Sequence, residues 1–253
     1  MPSLHSPPDD EPRPSLASLP PWLRPPVGWL RRVGSGLLDV LYPPRCLGCS
    51  ARPVSVALPL CATCLQTMER ASAEAIAARL DRLEAARVLD GAFALWVFDK
   101  DSALQAVQHA LKYGDRPRYG LALGRLVGDA YAETHPAPDA VVPIPLHRVR
   151  ELERGYNQAE MLARGLAEAL DCPVRPDGLT RPRPTRSQTR LSRSARWQNV
   201  ADAFGAPDAI ADDTVLLVDD VLTTGATVAA AARRLKEAGA VRVFVATLAM
   251  ART

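Results

Sequence analysis

Long apolar runs and a strong net charge are both absent from this chain. No stretch of its 253 residues approaches the ~20 apolar residues that a membrane-spanning helix needs, which predicts no membrane insertion. The net charge of +3 is too small to indicate nucleic-acid binding by itself, although nearly all the basic residues are arginine, which favours planar contacts with phosphate. Residues 1–14 lack the basic segment and apolar core typical of a signal peptide, so we expect a cytoplasmic protein.

Cysteine is also scarce, and four of the five cysteines form two Cys-x-x-Cys pairs, Cys46 with Cys49 and Cys61 with Cys64. Four thiolates at this spacing predict a structural zinc ribbon, in which protein ligands fill every metal position. The alternatives are disulfides, which need an oxidising compartment, and a redox motif, which would not need two neighbouring copies. Cys172 stands alone and is interpreted as a small, buried apolar residue.

The chain divides by composition into three parts. Residues 1–37 are rich in proline and predict a disordered tail. Residues 38–88 contain the cysteine pairs and a helical connector rich in Ala, Leu, Arg and Glu. Residues 89–253 alternate apolar runs with amphipathic segments, which predicts an α/β domain with a mostly parallel sheet and helices on both faces. The expected strands and helices are strands at 91–98, 139–145, 215–218 and 241–249, and helices at 102–113, 121–131, 156–170 and from 226 onward.

The most informative segment is residues 215–227, a branched apolar run followed by Asp219, Asp220 and a small, hydroxyl-rich turn. It predicts a buried strand, a loop and a helix, and in open α/β sheets such a loop lies where ligands bind. The unpaired N–H groups of the helix N-terminus suit a phosphate. The alternative is an ordinary aspartate-rich strand end followed by a threonine N-cap. The residues that would hold the phosphate are Thr223, Thr224, Gly225, Ala226 and Thr227.

Two carboxylates beside a phosphate site need a further role, because they would otherwise repel the ligand. Asp219 and Asp220 can accept hydrogen bonds from the hydroxyls of a ribose or can hold a divalent cation. The segment resembles the motif with which type I phosphoribosyltransferases bind phosphoribosyl pyrophosphate (PRPP). We therefore expect a PRPP site that also uses Mg²⁺.

A basic segment at another strand end runs from residues 142–148 to residues 154–158. Its position suits a pyrophosphate loop, and the alternative is a solvated surface loop. His147 is a candidate contact to which no proton transfer is assigned.

Residues 181–196 form a second basic segment, which carries six arginines and no acidic residue. We interpret it as a mobile hood that closes over PRPP and neutralises the departing pyrophosphate. A disordered basic linker and a nucleic-acid surface are the alternatives. Its arginines are Arg181, Arg183, Arg186, Arg190, Arg193 and Arg196.

Seven segments, taken together and in order, resemble the ComF family of zinc-ribbon, phosphoribosyltransferase-like proteins, which are linked in many bacteria to DNA uptake during natural transformation. The resemblance spans residues 38–253. Its segments are 42–49, 60–64, 111–114, 142–145, 154–158, 188–199 and 215–227.

The resemblance implies a type I phosphoribosyltransferase fold behind a zinc ribbon, with Asp219 and Asp220 at the ribose and residues 223–227 at the 5-phosphate. It implies that Arg148 and the arginine hood lie near the pyrophosphate, and we expect Arg190 to act in catalysis with the two aspartates. The acceptor is not identified by the sequence. The alternative function is non-catalytic: an adaptor that binds single-stranded DNA or senses PRPP, with the ribbon docking a helicase-like DNA-uptake protein.

Overall fold

The computed structural model describes residues 45–51, 57–81, 88–99, 102–114, 116–182, 203–207, 210 and 213–252. The described residues all belong to one compact unit. The predicted tail, residues 1–37, and all the hood arginines except Arg181 lie outside these ranges.

Four strands form a parallel sheet at the centre of the described part: β1 (Gly91–Phe98), β2 (Ala140–Pro143), β3 (Thr214–Leu222) and β4 (Arg242–Ala251). Their order in the sheet is β1-β4-β3-β2. The predicted strands are confirmed, but their ends differ. β3 pairs with β4 as far as Leu222, so Asp219 and Asp220 lie within the strand and not in the loop after it.

Seven α-helices and one short 3-10 helix, Pro176–Gly178, accompany the sheet in the described ranges. The helix Arg148–Arg154, which we call α5, was not predicted, because it interrupts a basic segment that was predicted to be a loop. It ends at Gly155, whose φ of 79° is in the left-handed region that favours glycine. The α-helices are α1 (Ala62–Thr67), α2 (Ala73–Asp81), α3 (Ala103–Tyr113), α4 (Pro117–Ala132), α5 (Arg148–Arg154), α6 (Gln158–Leu170) and α7 (Ala226–Glu237).

Both faces of the sheet are covered, as the continuous apolar run of β3 requires. Val215 and Leu217 pack in a core with α2 and α7, whereas Leu216 and Val218 pack in a second core with α3, α4 and α6. Val221 joins this second core, so the alternation of faces shifts by one residue after Asp220. The two carboxylates therefore lie at the point where the regular pattern of the strand ends.

α4 and α6 approach each other closely because glycines line their contact. A Cβ atom on Gly124 would lie 2.1 Å from the carbonyl oxygen of Leu162, and one on Gly165 would lie 2.0 Å from that of Leu121. Gly120 and Gly128 extend the contact along α4 at intervals of four residues. The close contact fixes the N-terminus of α6, which faces the candidate site.

The cysteine-bearing segments pack against β1. Arg70 forms an antiparallel bridge with Trp96, and the backbone N–H of Val97 donates to the carbonyl of Glu69 at 2.9 Å. Cys46 and Leu60 are buried in the same core as Trp96. Among the described residues, no helix has the length and apolar character that spanning a membrane requires.

Candidate functional site

A cavity lies at the carboxyl ends of β2 and β3, and we call it the carboxylate cavity. It is lined by Asp219 and Asp220, the two aspartates of the segment 215–227. Its volume is ≈ 150 Å³, below the roughly 300 Å³ at which small-molecule sites usually begin, so it suits a sugar-sized group and not a whole nucleotide. Residues from α3, β3 and the start of α6 line it together. They are Lys112, Leu146, Arg154, Asn157, Gln158, Ala159, Asp219 and Asp220.

The two carboxylates differ in their surroundings. Burial, followed by repulsion from Asp220, raises the pKa of Asp219 to about 8. A hydrogen bond from the backbone N–H of Asp220 to the Asp219 carboxylate, 2.8 Å long, opposes this rise, as does the positive charge of Lys112. The pair therefore retains a proton near neutral pH, and a ligand that carries a cation into the cavity would displace it.

Lys112 provides a cation that the sequence analysis did not assign. Its ammonium nitrogen lies 3.1 Å from the Asp220 carboxylate, and both side chains are mostly buried. The residue comes from the end of α3, far from the motif in sequence. The segment 111–114 contributes to the family resemblance, but its local sequence carries no signal for this contact.

The residues of segment 154–158 brace one another and hold Arg154 at the cavity. The Arg154 guanidinium donates to the Gln158 side-chain oxygen at 2.7 Å. The Asn157 amide donates to the carbonyl of Ile144 at 3.0 Å, while its oxygen accepts from the N–H of Ala159 and caps α6. Tyr156 donates its hydroxyl to the carbonyl of Leu111, at the end of α3.

Residues 223–227, which the sequence predicts to hold a phosphate, take the conformation that their sequence favours. Gly225 is the N-cap of α7 with a φ of 74°, a left-handed value that is costly for other residues. Thr223 and Thr224 are exposed and Thr227 is half-buried, whereas Gly225 and Ala226 are buried. The first N–H groups of α7 therefore lie behind a short loop that exposes two threonines, an arrangement that suits a phosphate.

Arg79 is a second contact that the sequence analysis missed. This residue of α2 donates one guanidinium N–H to the carbonyl of Thr223 and another to the carbonyl of Ala251. It thus ties the start of the 223–227 segment to the end of β4. No local motif around residue 79 indicates this role.

The other predicted site residues are only partly brought together. Arg148 is exposed at the start of α5 and does not line the carboxylate cavity. Arg181 lies near Asp219, within electrostatic reach, and its guanidinium packs 5.2 Å from the ring of Phe204. Arg190 lies outside the described residues. The His147 ring accepts a hydrogen bond from the N–H of Val149 and so caps α5.

The four paired cysteines converge as predicted. Their sulfur atoms all lie within 4.8 Å of one another, and those of Cys49 and Cys61 are 3.6 Å apart. A zinc ion with four tetrahedral zinc–sulfur bonds of about 2.3 Å would hold its sulfur ligands at sulfur–sulfur distances close to these. The N–H groups of Gly48 and Cys61 point to the Cys46 sulfur at 3.4 and 3.3 Å, which favours a thiolate. These residues fit a structural zinc ion.

Cys172 is half-buried, and burial raises its pKa to about 11.

Two stretches of the chain match known protein families. Residues 154–253 match the phosphoribosyl transferase domain, and residues 37–77 match the double zinc ribbon domain. The DNA utilization protein YhgH of Salmonella typhi is 35% identical over 154 residues, which are 59% of this chain and 68% of that protein. Competence protein F of Haemophilus influenzae is 37% identical over 117 residues, 45% of this chain and 51% of that protein.

The chain belongs to the ComF family. The predicted fold class is confirmed, since a parallel sheet with helices on both faces carries the phosphoribosyl transferase match, and the zinc ribbon match precedes it. This ComF-family chain has only five cysteines, so it can build a single four-cysteine site although the matched domain is described as a double ribbon. Among solved structures, glutamine PRPP amidotransferase from B. subtilis aligns with a TM-score of 0.40 at 25% identity, over 55% of this chain and 30% of that one.

Proposed function

We propose that this ComF-family protein binds PRPP with Mg²⁺ at the carboxyl end of β3 and acts as a phosphoribosyltransferase in DNA uptake. One observation carries the proposal. Asp219 and Asp220 line one cavity, and β3 leads two residues later into the glycine-containing loop at the N-terminus of α7. A ribose on the carboxylates and a 5-phosphate on the loop, residues 223–227, account for both features.

The donor set fits Mg²⁺, because two adjacent carboxylates offer the oxygen ligands that this cation prefers. Mg²⁺, when bound, supplies charge neutralisation for the diphosphate. Lys112 and Arg154 enter the cavity from the α3 and α5 side and suit the pyrophosphate, with Arg148 and the hood residue Arg190 as further contacts. The protein thus contributes position and charge, and the reaction needs no side-chain nucleophile.

In the proposed reaction, the lone pair of an acceptor forms a bond to C1 of the ribose. The bond between C1 and the pyrophosphate oxygen breaks, its electron pair leaves with pyrophosphate, and the acceptor's proton passes to water. Fixed positive groups stabilise the charge that develops on the leaving group. The process served is DNA uptake or utilisation, in keeping with the names of two relatives, DNA utilization protein YhgH and competence protein F. We place this activity in the cytoplasm.

Calorimetry with PRPP and Mg²⁺ tests binding. We expect heat of binding for the natural chain and its loss for Asp219→Asn and for Asp220→Asn. Asp213→Asn is the matched control, because Asp213 precedes the same strand at its opposite end and pairs with Arg175. The absence of heat with the natural chain, or unchanged affinity in both site variants, would contradict the proposal. Pyrophosphate release with a panel of bases and amines then separates an enzyme from a PRPP sensor.

A second candidate is binding of single-stranded DNA, which a specific surface favours. The ring of Tyr113 is 68% exposed, beside Lys112, and lies 5.0 Å from the exposed ring of His109. Arg148 and Arg150 are exposed on α5. Exposed aromatic rings beside basic groups suit stacked bases and phosphates.

This candidate predicts a steep fall in DNA affinity with rising salt. Replacing Arg186, Arg190 and Arg193 together with Ala should flatten that dependence. Tyr113→Ala should weaken binding while Tyr113→Phe retains it, since only the first variant removes the stacking ring. A weak, salt-independent response, or equal binding by the two Tyr113 variants, would exclude this use of the surface. Coupling of the zinc ribbon to a helicase-like partner belongs to the same candidate.

A further inference from the structure

A second cavity, which we call the α2 pocket, lies at the carboxyl ends of β1 and β4. The proposed PRPP contacts do not use it. Its volume is ≈ 280 Å³, at the lower end of the range of about 300–1,000 Å³ typical of small-molecule sites, so it suits a single ring system. Its lining residues are Glu69, Ala75, Ala78, Arg79, Val97, Met250, Ala251 and Arg252.

The walls of the α2 pocket are formed mainly by apolar side chains. Ala75 and Ala78 project from α2 and remain exposed, because their small side chains leave the space between helix and sheet open. Val97 and Met250 form the facing wall from the sheet. A slot between alanines and two larger apolar side chains suits a flat ligand that removes this surface from water.

The rim of the pocket is polar and carries two guanidinium groups and one carboxylate. Arg252 pairs with Glu69 and lies 3.1 Å from Asp99, so two carboxylates hold its guanidinium in place. Arg79 is held by the carbonyls of Thr223 and Ala251. Guanidinium groups fixed in this way favour planar acceptors such as a ring carbonyl or a carboxylate.

The position of the pocket connects it with the proposed phosphate loop. Arg79 lines the pocket and also bonds the carbonyl of Thr223, the first residue of that loop. In the sheet, β3 has β4 on one side and β2 on the other. The α2 pocket is therefore beyond β4, and the carboxylate cavity is on the β2 side, with the loop between them. A larger hollow of ≈ 650 Å³, lined by Cys172 and Val174, lies near the amino end of β2 and does not adjoin the loop.

We infer that the α2 pocket binds the acceptor, a planar nitrogen heterocycle of nucleobase size with a carbonyl or carboxylate edge directed at the arginine rim. This inference rests on the proposed function for the identity of the second substrate. The ring nitrogen forms the new bond to C1 as the C1–oxygen bond of pyrophosphate breaks, and the ring N–H proton passes to water. The apolar slot orients the ring, and Arg79 links its occupancy to the phosphate loop.

Two alanines of α2 provide a matched pair of variants. Ala78→Phe fills the slot, whereas Ala77→Phe places the same ring on the same helix at an exposed residue outside the pocket. Because both alanines are exposed, neither substitution enlarges the core, and circular dichroism checks that both variants fold. The probes are uracil, hypoxanthine and orotate, added to the full chain with and without PRPP and Mg²⁺, and ligand-observed NMR measures binding.

We expect at least one probe to bind the natural chain and Ala77→Phe, and Ala78→Phe to weaken that probe by about tenfold or more. PRPP affinity, measured by calorimetry, should be alike in all three proteins. If no probe binds, or if Ala78→Phe binds a probe as well as Ala77→Phe does, the inference is wrong even where PRPP binds normally. If PRPP fails to bind but a probe binds in the pattern expected, the PRPP proposal is wrong and the pocket stands as a heterocycle site.

Discussion

The ammonium of Lys112 lies 3.1 Å from the carboxylate of Asp220, so the last turn of α3 neutralises the motif at the end of β3. Without this cation the two adjacent carboxylates would repel each other and any pyrophosphate. The side chains are 26% and 19% exposed, so solvent screens the pair only in part.

Replacement of Lys112 by Met should weaken PRPP binding by about tenfold or more, because the cavity loses the charge that offsets its carboxylates. Calorimetry with Mg²⁺ present measures the change. Lys236→Met is the control, since Lys236 also pairs with an aspartate, Asp90 at 2.7 Å, but next to the amino end of β1. Equal PRPP affinity in the two variants would show that Lys112 does not contribute to the binding site.

The raised pKa of Asp219 predicts a dependence of stability on pH. The folded chain holds a proton up to about pH 8, whereas an unfolded aspartate loses it near a pKa of about 3.9. Between these values the folded state binds more protons, so the stabilisation that Asp219 contributes is fully present below the unfolded pKa and is lost as pH rises through 8. The free energy of unfolding of the ligand-free chain should therefore fall by at most about 1.4 kcal/mol per pH unit from this group.

Urea unfolding at pH 6, 7, 8 and 9 measures this slope. Asp219→Asn carries no titrating carboxyl and should show a shallower slope than the natural chain over the same interval. The affinity for PRPP with Mg²⁺ should rise over the interval as the carboxyl ionises. Identical slopes in the two proteins would show that Asp219 ionises normally.

Gly225 should be required for phosphate binding and not only for stability. Gly225→Ala forces a residue with a Cβ into a φ of 74° and should cost about 1–2 kcal/mol, as should Gly239→Ala at a φ of 98° near the end of the same helix. Chemical denaturation measures both losses. PRPP affinity should fall only in Gly225→Ala, and a parallel fall in Gly239→Ala would indicate a general effect of strain.

The glycine contact between α4 and α6 predicts that replacing a glycine by alanine lowers stability, the opposite of what helix propensity alone would give. Alanine normally favours a helix over glycine by about 1 kcal/mol. Gly124→Ala should instead destabilise the chain by about 1–3 kcal/mol, because its Cβ would meet the Leu162 carbonyl oxygen at 2.1 Å. Thermal unfolding gives the sign directly, and a gain in stability would mean that the two helices separate at little cost.

Loss of zinc should affect the sheet as well as the ribbon. Cys61→Ser with Cys64→Ser should release the metal, and Cys46 and Leu60 should then leave the core that they share with Trp96. Metal analysis and hydrogen exchange at residues 91–98 measure the two effects, with Cys172→Ser as the control that keeps its zinc. Full protection of β1 after zinc loss would show that the ribbon and the sheet domain are independent, as the division at residue 88 predicts.

Local sequence determined the secondary-structure elements and the site motifs of this protein. The cysteine pairs, the strand ending in Asp219 and Asp220, and the glycine before α7 each carry their information within a few residues, because ligand spacing, burial on both faces and a left-handed φ are local requirements. The ComF resemblance followed from the same segments. The four-residue spacing of Gly120, Gly124 and Gly128 is also visible in the sequence. It indicates a close helix contact only when a second helix is known to pack against it.

Only the tertiary structure decided which distant residues meet. Lys112 and Arg79 reach β3 from helices far away in sequence, and nothing near either residue indicates the contact. α5 forms where a loop was predicted, because His147 and Gly155 cap a segment that buries none of its residues. The pKa of Asp219 depends on burial and on neighbouring charges, which exist only after the layers have packed. The sequence thus determined the parts of the candidate site, while long-range packing determined its charge balance and the pocket beside it.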